Sequence, residues 1–139
     1  MSSSRSSRGT RSLAPASRRN NGGGGRSILI GGWGNDTVKG GSADDIVVGG
    51  YTDHDPSGVV NDAALAAILA EWKSTDLYPT RITKIKSGVG IGGTSKLVWG
   101  TTVHDDLNSS SLTGNAGMDW FFKGASDTIT DPQSGEQVT

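Results

Sequence analysis

Two glycine-aspartate nonapeptides follow one another without a gap, Gly31-Gly32-Trp33-Gly34-Asn35-Asp36-Thr37-Val38-Lys39 and Gly40-Gly41-Ser42-Ala43-Asp44-Asp45-Ile46-Val47-Val48. They are one intact copy and one near copy of the nine-column pattern G-G-x-G-x-D-x-U-x, where U is a large apolar residue. A fixed short period of this kind predicts short strands joined by tight glycine turns and stacked on their neighbours. The frame extends upstream through Gly22 to Ile30, where Ser27 takes the place of the aspartate. It returns downstream at Gly114 to Phe122, where Asn115 replaces the second glycine, and after that the spacing slips by one residue.

Each residue type has a physical reason. Glycine reaches φ > 0 without a Cβ penalty, so a glycine run lets a loop curl until its carbonyl oxygens converge. The aspartate adds one carboxylate per loop. Ca²⁺ is a hard cation that takes about six to eight oxygens, which two stacked loops can share. The candidate metal ligands are therefore in the turns, at Gly32, Gly34, Asp36, Gly41, Asp45 and Asp119. The x-U-x triplet reads as a strand with its middle residue turned inward. A flexible glycine-rich linker is the alternative, but linkers seldom place valine or leucine at every eighth column.

These residues resemble the RTX, or hemolysin-type, calcium-binding repeat family of secreted bacterial proteins. The resemblance covers residues 22–139 and includes the tail, where Asp127-Thr128-Ile129-Thr130-Asp131 followed by Gly135-Glu136 is similar to the segment that closes such arrays. It implies a mainly β chain, a short parallel β-roll with one amphipathic helix and additional strands. It further implies one or two weakly bound calcium ions, type I secretion machinery as a partner, and a secreted or cell-surface location. In that family a turn stacks on the turn two repeats away, which would set Gly40 to Asp45 on Gly22 to Ser27. That pair has lost one carboxylate.

Composition is consistent with help being needed to fold. Hydrophobic content of 32% is low for a chain of 139 residues, and 22 glycines raise the backbone entropy that folding must overcome. There is no cysteine, which excludes disulfides and thiolate metal sites. No apolar run approaches the roughly 20 residues of a membrane-spanning helix. The net charge of −1 conceals an asymmetry: residues 1–26 carry six arginines and no acid, +6, against −7 for the rest. Residues 1–21, rich in Ser and Arg, read as a disordered tail without the apolar core of a signal peptide. A nucleic-acid or membrane-surface role for that tail is the functional alternative.

The middle of the chain, an insert at about 51–112, departs from the repeat. Leu65, Ile68, Leu69 and Trp72 fall at i, i+3, i+4 and i+7 and predict an amphipathic helix from Ala63 to Lys73, capped by Asn61 or Asp62. The helix is expected to cover the sheet that carries Ile28 and Ile46 and to leave the Thr37 sheet wet. Thr80 to Lys86 and Lys96 to His104 alternate and predict strands, separated by a turn at Gly88 to Gly93. That turn matches G-x-G-x-x-G formally, but a dinucleotide site requires a helix directly after it. Asp53 to Asn61 resembles part of an EF-hand loop, yet Ala64 stands where the bidentate glutamate belongs, and an Asx-rich turn is the simpler reading.

Catalytic constellations are missing: there is no G-x-S-x-G, no H-E-x-x-H and no cysteine. His54 and His104, each beside aspartates, read as solvated turn residues, and the four tryptophans read as core rather than a carbohydrate platform. The expected function is thus a non-catalytic, calcium-stabilised structural or secretion module of an extracellular protein. An adhesive surface module and the non-catalytic remainder of a secreted hydrolase stand as alternatives.

Overall fold

β-Branched triplets suit an extended, half-buried backbone, and the repeat triplets form strands in the computed structural model, which describes residues 4–5, 19–21, 25–31, 35–52 and 62–139. In chain order the elements are β1 Ser4–Arg5, β2 Arg19–Asn21, β3 Ser27–Ile30, β4 Thr37–Lys39, β5 Asp45–Val48 and β6 Tyr51–Thr52. Two helices follow, α1 Asp62–Trp72 and α2 Tyr78–Ser87, then a 3₁₀ turn at Ile91–Gly93. The chain ends with β7 Val103–His104, β8 Ser111–Thr113, β9 Trp120–Phe122, β10 Thr128–Ile129 and β11 Gln137–Val138.

Most strands sort into two parallel sheets, ordered β1-β3-β5-β9-β11 and β10-β8-β4-β2, and the chain alternates between them. Ser27 pairs with Asp45 and Ile28 with Ile46, so repeats two apart are neighbours. The register also measures the insertion. Bonded positions lie 18 residues apart between β3 and β5, but 74 apart between β5 and β9. The difference, 56 residues, is the chain inserted after β5. Beyond it the offset is 17, so the last coil is one residue shorter than the first. The antiparallel pair β6–β7, with Tyr51 opposite His104, brings the two ends of the insert together and returns the chain to the stack.

The first sheet is apolar on both faces because it is covered on both. Leu29, Val47 and Phe121 point to the second sheet and meet Val38 and Leu112. Their neighbours Ile28, Ile30, Ile46, Val48, Trp120 and Phe122 point the other way, onto Leu65, Ile68, Leu69 and Trp72 of α1 and Ile82 and Ile85 of α2. Ile30 and Val48 are 1% and 0% exposed, so the helix covers this face as its spacing predicts. The outer face of the second sheet stays wet, with Thr37 half-buried and Lys39 exposed.

The structure corrects the expected fold class. In place of a mainly β, RTX-like β-roll with one helix, the described residues form a mixed α/β arrangement with two helices, short parallel sheets and one antiparallel pair. The main departure is α2, where Thr80 to Lys86 alternates like a strand. Pro79 sits in its first turn, Arg81, Ile82 and Ile85 share a buried face, and Gly88 at φ 119 ends it by donating to Lys84 O. Burial of that face against α1 and the first sheet outweighs the β-branched preference, which is a weak prior. Lys96 to His104 likewise holds only the isolated bridge between Trp99 and Val103 and the two-residue β7. The predicted loop at Gly88 to Gly93 is a loop, closed by a bridge between Val89 and Ser95. Of the basic tail, residues 4–5 and 19–21 are described, as edge strands β1 and β2. The EF-hand-like stretch Asp53 to Asn61 lies outside the described residues.

Candidate functional site

Parallel stacking of repeats two apart places the sixth column of alternate repeats in a line at the entry to the first sheet. Ser27 N donates to Asp45 Oδ1 at 2.9 Å, Asp45 N to Asp119 Oδ1 at 2.7 Å, and Asp119 N to Glu136 Oε2 at 3.0 Å. Each carboxylate thus accepts the amide of the preceding coil. On the other edge Asp36 N donates to Ser110 Oγ at 3.0 Å, and Ser110 N to Asp127 Oδ1 at 2.9 Å. These side chains act as staples between successive coils, supplying acceptors to amides at the strand entrances.

The first-column glycines are explained by the same row. A Cβ on Gly40 would lie 2.5 Å from Gly114 O and 2.7 Å from Asp45 Oδ2. Gly31 faces Asp36 Oδ2, and Gly114 faces Asp119 Oδ2, in the same way. Gly40→Ala is therefore expected to destabilise by about 1–3 kcal/mol in chemical denaturation, since the nearest obstacle is backbone. Gly25→Ala, with open space around it, is the matched control and leaves the midpoint unchanged.

Burial sets the electrostatics. Desolvation pushes Asp45 up to about 6, against the amides of Gly41 and Ser27, which favour its charged form. Asp119 is pushed up to about 9, first by desolvation, with the charge of Asp45 and the adjacent Glu136 carboxyl adding to it. Asp127 is also raised, chiefly by burial. Asp45 has both oxygens occupied, by Ser27 N and by Gly41 N at 2.7 Å. Asp119 does not: its Oδ2 is buried and has no hydrogen-bond partner among the described residues.

The six sequence-predicted ligands separate accordingly. Gly32 and Gly34 lie outside the described residues. Asp36, Asp45 and Asp119 are all buried; the carboxylates of Asp45 and Asp119 accept amides of adjacent coils, Asp36 donates its amide to Ser110 Oγ, and Gly41 contributes its amide to Asp45. No group of three or more acidic or histidine side chains suited to a metal gathers among the described residues. Asp119 thus keeps a buried oxygen without a hydrogen-bond partner among the described residues, with the Glu136 carboxyl beside it. Glu136 was legible only as part of the tail motif. The 17-residue offset that aligns it with Asp119 is the signal that would have found it.

A second set of contacts ties the insert to the same turns. Tyr78 OH donates to Asp119 O at 2.6 Å and accepts from Gln137 N at 2.7 Å. Trp72 Nε1 donates to Asp44 O at 2.9 Å, and Arg26 Nη1 donates to Trp72 O and Ser74 O. None of the described helices is long and apolar enough to cross a membrane. No family model, no curated protein and no solved structure matches this chain.

Proposed function

We propose that this chain is a calcium-stabilised, non-catalytic structural module of an extracellular protein. The observation that carries the reading is Asp119: a fully buried carboxyl with one oxygen lacking a donor and a second carboxyl in contact with it. Two adjacent carboxyls of this kind hold a proton or a cation between them. A hard divalent ion at the concentrations found outside cells is the natural competitor for that proton, and glycine turns supply carbonyl oxygens of the type it prefers. The effect is bounded, because one site at ten times its dissociation constant contributes about 1.4 kcal/mol. Calcium then adds to a fold that the two apolar layers already hold.

Thermal melts followed by circular dichroism in EDTA and in millimolar calcium test the reading. Wild type is expected to melt a few degrees higher in calcium, with a smaller shift in magnesium, and Asp119→Asn to lose the shift. Identical wild-type melts with and without calcium would remove the proposal.

A further inference from the structure

We infer that the Arg81 guanidinium is a resident cation for the stacked turns at residues 40–45 and 114–119, holding them in register across the insertion. Arg81 is 3% exposed, unusual for an arginine, and its donors are distributed over three acceptors. Nη2 bonds Asp44 Oδ2 at 2.8 Å, Nη1 bonds Trp72 O at 3.2 Å and Nε bonds Asp76 O at 3.1 Å. The guanidinium also lies 4.5 Å from the centroid of the Trp72 ring, a face that favours a cation.

The partner carboxylate makes this more than a helix anchor. Asp44 Oδ1 accepts the amide of Met118 at 2.8 Å, a residue 74 positions later, on the far side of the insert. One carboxylate therefore joins α2, the turn before β5 and the turn before β9. The turns are so close that a Cβ on Gly117, at φ +89, would meet the Ala43 backbone and Asp44 Oδ1. Asp44 and Asp45 adjoin in the chain, and their bonds to Met118 N and Asp119 Oδ1 bring a third acid to this edge, where arginine supplies a permanent positive charge. The insert is thus the element that supplies the positive charge that holds the coils on either side of it together.

The inference does not rest on calcium binding at Asp119, because its test is run in EDTA. Arg81→Met is expected to lower the melting temperature by more than about 10 °C, since it leaves a largely buried carboxylate without its cation. Arg81→Lys, which keeps the charge, is expected to recover at least half of that loss. Asp44→Asn in the Arg81→Met background is expected to cost little more. Additive losses from the two sites, or a lysine variant no better than the methionine variant, would overturn the inference. If Arg81→Met fails to fold, the same cycle is run with Arg81→Gln, which also removes the charge, and Asp44→Asn, where additivity counts equally against it.

Discussion

Trp72→Ala lowers the unfolding free energy by about 3–5 kcal/mol, the range for truncating a fully buried tryptophan. The ring is 0% exposed and sits where the two helices and the first sheet meet. It contacts Tyr78 edge-on at 5.8 Å between centroids and Trp120 at 6.0 Å, and it carries the Arg81 guanidinium. Its indole also donates to Asp44 O. The substitution therefore opens a cavity, leaves a carbonyl without its donor and removes the surface against which Arg81 is held. Leu77→Ala serves as control, because Leu77 is 76% exposed, and its change stays within about 0.5 kcal/mol. Urea denaturation of both variants decides the matter; a Trp72→Ala loss as small as the control's would mean that the helices do not close the core.

In EDTA, stability falls as pH rises from about 4 to 9. Asp45 and Asp119 start from an ordinary value of 3.8 and are raised in the folded protein to about 6 and about 9. The folded state consequently binds protons more tightly than the unfolded chain. Their contribution is complete below the unfolded value, and it is lost as pH passes first through the Asp45 value and then through that of Asp119. Each excess proton makes a slope of about 1.4 kcal/mol per pH unit. A decline of more than about 2 kcal/mol between pH 5 and pH 9 is expected, the direction opposite to that of ordinary salt-bridged carboxylates. Asp119→Asn flattens the upper part of the profile, because an amide cannot titrate. Denaturation midpoints independent of pH over that range would show that the two carboxyls are not desolvated as described.

The pattern of nine could be read from residues alone because it is local chemistry: glycines where no Cβ fits, an acid at the strand entrance, and an apolar triplet. The helix α1 was equally legible, since Leu65, Ile68, Leu69 and Trp72 repeat at a period that no strand shares. The helix α2 was not. Its Thr80, Ile82, Thr83 and Ile85 favour extended backbone, and only the burial of Ile82, Ile85 and Arg81 against partners distant in sequence reverses that preference. The column-six acids suit metal ligation by residue type, and the structure adds that Asp45 and Asp119 accept amides of adjacent coils, a partner that no local pattern names.

By itself the sequence determined the period, the turn glycines, the identity of the acid in each coil and the amphipathic face of α1, all properties of neighbouring residues. Tertiary structure alone decided that β5 pairs with β9 across 74 residues, that α2 is helical, and that Arg81 meets Asp44. The physical reason is one of range. Backbone conformation and side-chain spacing act over a few residues, while register, desolvation and charge pairing depend on which distant segments are brought into contact.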